Sequence, residues 1–274
     1  MNKIKNIASI GGDSRQKYTV LKLCQNGFNV DSIKLLDDNI VFYDAFILPL
    51  PVSTDNIHIN SSEITLTELL TKLNDNQIVF GGKINDEIKN ELKKRNVVYF
   101  DYYSRDEFAL KNAEPTALGV LSFVMNSTKR SLSKLKVLVV GYGKCARAVS
   151  KIFNDLGASV TAASRKYLTV AESEANGLNA CLIKDICKYV PDSDVIINTV
   201  PCKILNSDFI DSIKNEAIII DISSAPYGFD YEYAKTVGKK ITLLPSIPGR
   251  YFPETAGEII ADTIMNIIEE GDFE

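Results

Sequence analysis

A chain of 274 residues, 45% of them hydrophobic, is long enough to bury more than one core, and its net charge of -4 and pI near 5.3 argue against broad binding to nucleic acid or an anionic membrane, either of which needs an extended basic face. Five cysteines with no Cys-x-x-Cys pair read as small buried thiols rather than a disulfide framework or zinc site, so no metal is expected. The single histidine, His58, lies in a polar segment, which leaves Ser-His-Asp and multi-histidine metal mechanisms poorly supplied.

The apolar opening, 4–10, is too short for a membrane span and runs into Gly11-Gly12, so it reads as a first strand, with the cytoplasm as the expected compartment. Residues 14–27 then show helical spacing, with Gly27 at the position of a C-cap. Further strands are expected over 28–33, 45–52, 77–82 and 96–102, with a helix over 85–96 between the last two. Such alternation implies a parallel sheet covered by helices. At 113–126 the pattern becomes a longer apolar helix with Pro115 in its first turn, followed by a polar stretch to about 133.

From Lys136 the expected order is strand 136–141, helix 144–157, strand 158–164, helix 168–177, a weaker pair around 182–189, strand 194–201, helix 207–214, strand 217–224, helix 230–238 and strand 240–246. A last helix over 253–270 is expected to pack back on the first domain. The fold class is therefore α/β, with two doubly wound parallel-sheet domains. Residues 1–113 form the first, 114–133 a crossover helix and linker, and 134–252 a Rossmann dinucleotide-binding domain.

The run Lys136 to Phe153 carries the clearest chemistry. Its Gly-x-Gly-x-x-Ala follows a strand and opens a helix: Gly141 permits the tight turn, Gly143 lets backbone approach a pyrophosphate, and Ala146 allows close packing, while Lys144 and Cys145 begin the helix whose N-H groups bind the anion. At the end of the next strand, where NAD-binding versions place Asp or Glu, stand Ser164, Arg165 and Lys166. A hydroxyl, a guanidinium and an ammonium suit a 2′-phosphate, so NADP is the expected cofactor. Asn198, Thr199, Val200 and Pro201, then Asp221 and Ser223, end later strands at the edge where such sheets bind ligands, and complete the cofactor set. In the first domain, Ser14, Arg15 and Gln16 open a helix after a strand and offer donors for a substrate carboxylate, although a capping turn with a surface arginine is an equal reading.

At these residues the chain resembles the family of dipicolinate synthase A subunits from spore-forming bacteria. The resemblance is carried almost end to end by "IGGDSRQ", "NAEPTALG", "VVGYGKCARAV", "INTVP", "DISSAPYG" and "PSIPGRYFPETAG". It implies NADP-dependent oxidation of dihydrodipicolinate, derived from 4-hydroxy-tetrahydrodipicolinate, to dipicolinate during sporulation. It also implies a flavoprotein-like B subunit as partner, with self-association as a further assembly to test. The sequence departs from the family pattern where Lys144 and Ala146 replace a familiar Arg and Gly, where Ala225 replaces an Arg, and where Arg250 replaces an apolar residue.

A ring with two carboxylates lodged between the domains would take Ser14, Arg15 and Gln16 from one side and Arg250 from the other, with Thr116 adding a hydroxyl and helix N-H groups at the hinge. The general base is left open among a carboxylate, a lysine, a tyrosine and water. Two alternatives stand beside this reading. One is a shikimate-dehydrogenase-like NADP oxidoreductase, which would want a Lys and Asp pair that the first domain lacks in motif context. The other is an NADP-binding partner subunit with little activity alone.

Overall fold

Alternating apolar residues feed opposite faces of each sheet, which is why both sheets are covered on both sides. In the computed structural model, which describes residues 4–271, the chain divides into two compact units with boundaries at 112–113 and 247–248, the first built from the segments before 113 and after 247 and the second from 113–247.

In the first unit β1 (Asn6–Ile10), β2 (Asn29–Ile33), β3 (Ala45–Ile47), β4 (Ile78–Gly81) and β5 (Val98–Asp101) make an all-parallel sheet in the order β2-β1-β3-β4-β5. Ala8 and Ile10 of β1 enter one core beside Phe46 and Val79, while Ile7 enters the other with Ile47, Phe80 and the apolar face of the last helix, α10 (Pro253–Glu270). That helix docks on α1 (Ser14–Gln25) backbone to backbone. The Gly257 carbonyl lies 3.0 Å from the Thr19 hydroxyl, and a Cβ on Gly257 would sit 2.4 Å from the Arg15 carbonyl oxygen. The C-terminal helix therefore packs on the first unit, and Gly271 closes it in a left-handed cap.

Two differences from the sequence reading have clear causes. The strand expected over 45–52 stops at Ile47, because Pro49 and Pro51 lack the N-H that a ladder needs. A helix absent from the reading, α2 (Leu66–Lys72), is closed by a reciprocal capping box between Thr65 and Glu68. After it come α3 (Asp86–Lys94) and α4 (Asp106–Ser127).

Helix α4 corrects the expected crossover helix. It starts at Asp106, so Pro115 lies inside the helix rather than in its first turn, and α4 carries the chain from the first unit to the second at 112–113. The chain returns at 247–248, within the short α9 (Ile247–Tyr251), so Arg250 falls with the first unit and not with the dinucleotide-binding unit.

In the second unit β6 (Lys136–Val140), β7 (Ser159–Ser164), β8 (Asn179–Leu182), β9 (Val195–Asn198), β10 (Ile218–Asp221) and β11 (Ile241–Leu243) pair in parallel in the order β11-β10-β9-β6-β7-β8. Counted from β6, this is the strand order of dinucleotide-binding folds, with the switch point between β6 and β9. Val137 and Val139 join one core, with Ala117, Val120 and Val124 of α4, and Leu138 and Val140 join the other. Helices α5 (Lys144–Asp155), α6 (Tyr167–Ala175), α7 (Ser207–Asp211) and α8 (Tyr231–Thr236) make the connections, and 3-10 turns replace a full helix between β8 and β9. Among the described residues no helix is long and apolar enough to cross a membrane.

Candidate functional site

The turn between β6 and α5 sits at the switch point of the second sheet. Gly141 has φ +105°, and a Cβ there would lie 2.3 Å from the Thr199 hydroxyl, so both the backbone and its neighbour require glycine. Thr199 is held in place by donating 2.8 Å to the Val140 carbonyl. Gly143 is the N-cap of α5; it makes no side-chain cap, and the space a Cβ would fill is empty. A helix start without a side-chain cap and with open space before it is what a pyrophosphate needs. Ala146 is fully buried under the turn. Arg147 lies over the Tyr142 ring, 4.7 Å from its centroid, and pairs with Glu172, which braces the turn from outside. Cys145 is half-buried; desolvation pushes its thiol up against the opposing pull of the Lys144 charge, so it stays protonated. These residues fit a dinucleotide.

At the end of β7 the three residues read as a 2′-phosphate site divide. Ser164 is buried, with its hydroxyl 2.7 Å from that of Thr169, so it is a turn-former whose bonding is spent locally. Arg165 and Lys166 are exposed and form no ion pair among the described residues.

The strand ends of β9 and β10 hold a buried polar knot. Asp221, fully buried, accepts from Asn198 Nδ2 (2.9 Å), Ser223 N-H (2.9 Å), the Ser223 hydroxyl (2.7 Å), Gly228 N-H (3.0 Å) and the Tyr231 hydroxyl (3.0 Å). Asn198 is equally buried; its Nδ2 also donates to the Val200 carbonyl, and its Oδ1 accepts from Val200 N-H. A Cβ on Gly228 would meet Asn198 Nδ2 at 2.1 Å. Asn198, Asp221 and Ser223, read from sequence as cofactor ligands, thus spend their polar groups fastening the loops after β9 and β10, and Val200 and Pro201 ride on that frame. Sequence reasoning passed over Gly228 and Tyr231, for which no spacing rule exists. Burial, reinforced by the Asp221 carboxylate, pushes the Tyr231 phenol far above its usual range, so it is no general base near neutrality.

In the first unit Ser14 is exposed at the start of α1, whereas Arg15, 9% exposed, is a buried structural cation rather than a surface group. Its Nε donates to Asp13 at 2.9 Å and its Nη2 to Asp13 at 2.8 Å and to the Leu50 carbonyl at 2.6 Å. Burial works against the Asp13 carboxylate, but the hydrogen bonds and charge of Arg15 hold it below the usual range. Gln16 Nε2 donates to the Ser9 hydroxyl (2.8 Å) and the Ile47 carbonyl (3.2 Å). Thr116 is buried in the interior of α4, so it brings no helix N-terminal N-H groups, which corrects its expected role. Arg250 is exposed on α9. Among the described residues no three His, Cys, Asp or Glu side chains gather to hold a metal.

Comparison with known proteins finds similarity to a few named proteins and domains. Residues 6–103 match the model of the N-terminal domain of the dipicolinate synthase A subunit, and 122–227 match that of the D-isomer specific 2-hydroxyacid dehydrogenase NAD-binding domain. The chain is 28% identical to the dipicolinate synthase A subunit of Bacillus subtilis (strain 168), with 96% of each chain covered. Among solved structures it is similar to the corresponding protein from Bacillus halodurans (27% identity, 98% of this chain and 99% of the other, TM-score 0.87). It is likewise similar to the one from Bacillus subtilis (27% identity, 98% and 97%, TM-score 0.88).

Proposed function

We propose, from the premise that this is a chain of the dipicolinate synthase A-subunit type, that it is the dehydrogenase component that oxidises dihydrodipicolinate, derived from 4-hydroxy-tetrahydrodipicolinate, to dipicolinate with NADP during sporulation. It acts in the cytoplasm together with a flavoprotein-like B subunit. The observation that carries this reading is the uncapped α5 N-terminus behind Gly143, at the switch point of a dehydrogenase-type sheet, in a chain similar to the A subunit over nearly its whole length.

The N-H groups of Lys144, Cys145 and Ala146 would hold the pyrophosphate, and Arg165 and Lys166 the 2′-phosphate that distinguishes NADP. When bound, the nicotinamide supplies the acceptor for the hydride removed from the ring. The chain's own part is orientation: the Asn198–Asp221 knot fixes the loops after β9 and β10, and alignment of this kind contributes several kcal/mol to a barrier. Asp221, spent on five donors, and Tyr231, held protonated, do not take the ring proton, and aromatisation supplies the driving force.

Incubating the purified chain with the dihydrodipicolinate precursor and NADP or NAD, with and without the B subunit from the same organism, tests the proposal. The expected result is formation of the aromatic diacid with NADP preferred. Absence of turnover under every condition would reject the dehydrogenase reading.

A further inference from the structure

The side chains that "GGDSRQ" offers as substrate ligands are largely consumed inside the first unit, which leaves open where that unit takes a carboxylate. Outside the carboxyl ends of β1 and β2 lies a cleft of about 690 Å³, a volume usual for small-molecule sites. Its wall is built by the motif's glycines. Gly12 N-H donates 2.9 Å to the Asn60 carbonyl, and Gly11, with φ +64°, allows that approach, since a Cβ there would stand 2.4 Å from the same oxygen. This seats the loop carrying Ser62 and Glu63 on the cleft that Lys34 also lines.

Two polar groups in the cleft have unspent capacity. Lys34 has no ion-pair partner among the described residues. Ser9, 3% exposed, accepts from Gln16 Nε2 but donates its own hydroxyl proton to no described residue. A buried hydroxyl proton without an acceptor is costly unless something in the cleft receives it. One ammonium, one undonated hydroxyl proton and one carboxylate form an anion site of modest strength, as suits a group that must bind substrate and release product.

We infer that this cleft, lined by Ser9, Gly11, Gly12, Lys34, Ser62 and Glu63, holds a carboxylate of the ring dicarboxylate on which the chain acts. Lys34 is the attracting charge and Glu63 the group that limits affinity. The ligand class rests on the proposed function; the cleft does not.

The test is calorimetric titration of dipicolinate into the full chain and into Lys34→Gln and Glu63→Gln. Lys34→Gln should weaken binding about tenfold, because the anion loses the one cation among the described lining residues of the cleft. Glu63→Gln should tighten it about threefold, because a repulsive partner is removed. NADP affinity and melting temperature should stay at wild-type values in both, since both side chains are exposed. Equal dipicolinate affinity in all three proteins, or no binding by the wild type at millimolar ligand, overturns the inference. Turnover assays keep the two readings apart. Wild-type turnover that both variants retain unchanged sinks the cleft and leaves the proposed function standing. Lys34-dependent dipicolinate binding by a chain with no turnover, with or without the B subunit, supports the cleft and rejects the dehydrogenase role.

Discussion

Replacing Gly257 by alanine sets two effects of opposite sign against each other. An alanine inside α10 gains about 1 kcal/mol of helix propensity over glycine. Against this, the new Cβ would lie 2.4 Å from the Arg15 carbonyl oxygen, 2.7 Å from Tyr18 Cβ and 3.0 Å from Thr19 N, and two of those three atoms are backbone of α1. Restoring van der Waals distance separates the helices by roughly 1 Å, an overpacking that typically costs about 1–3 kcal/mol. Separation also breaks the 3.0 Å contact between the Thr19 hydroxyl and the Gly257 carbonyl, a further loss of about 1 kcal/mol. The net is a destabilisation of about 2 kcal/mol, or roughly 5 °C in the melting of a unit this size. Scanning calorimetry of the full chain measures it. Gly27→Ala, which has open space but φ +88°, reports backbone strain without overlap and should cost only about 1 kcal/mol. An unchanged or raised melting temperature in Gly257→Ala would mean that propensity wins and that α10 is not seated on α1 at this point.

Arg165→Ala should weaken NADP binding about tenfold and leave NAD binding almost unaltered, because only NADP carries the 2′-phosphate; equal losses in titrations of both cofactors would remove the assignment. Asp221→Asn keeps the shape of the knot but sets an amide N-H2 against donors such as the Gly228 N-H, so the chain should lose about 2 kcal/mol in denaturant unfolding; an unchanged midpoint would mean the knot bears no load. Asp194 is pushed up by burial, yet hydrogen bonds from Lys214 and Lys136 N-H and the charges of Lys214 and Arg130 win and hold its carboxyl below the ordinary value. Its folded pKa is the lower one, so its stabilisation is full above about pH 4 and disappears as pH falls through the folded value; the stability gap between wild type and Asp194→Asn should therefore narrow only in acid, and a gap independent of pH contradicts the reading. Arg15→Lys cannot reproduce the two-nitrogen contact with Asp13 together with the Leu50 bond, and should lower the melting temperature; a normal melting temperature with turnover reduced about tenfold would instead make Arg15 a substrate ligand.

What the sequence made legible was repetition and backbone chemistry. The β6 turn and α5 could be placed because a Val-rich strand, two glycines and a helical period agree at one spot, and both sheets followed from the same alternation. The start of α4 was misplaced because a proline after a polar stretch resembles a first-turn residue, whereas here Ala113, Ala117, Val120 and Val124 are buried and the helix runs on both sides of Pro115. Helix α2 had a signature in Thr65 and Glu68, which the surrounding polar residues hid. Polar side chains were harder still. Asn198, Asp221, Arg15 and Gln16 are the residue types that bind ligands, and the same hydrogen-bonding capacity lets each be satisfied by neighbours that only the fold brings near.

Arg15 shows why a specific motif and a ligand set are different things. Its carbonyl meets the Gly257 position of "PETAG", and its Nε lies 2.9 Å from where a Cβ on Gly249 of "PSIPGR" would stand. Its guanidinium clasps Asp13 of its own motif and the carbonyl of Leu50. Three segments far apart in the chain thus meet around one buried arginine, and each contributes either a glycine that permits approach or an oxygen that accepts. A residue so enclosed constrains its neighbours whether or not it ever meets a substrate, because replacing Asp13 leaves a buried charge without compensation and a side chain at Gly249 or Gly257 would collide with Arg15. The segments that carry the resemblance in this unit are therefore accounted for by the seating of α9 and α10 on α1, and the chemistry of the first unit is to be sought in the side chains that this joint leaves unspent, Lys34 and Ser9 foremost.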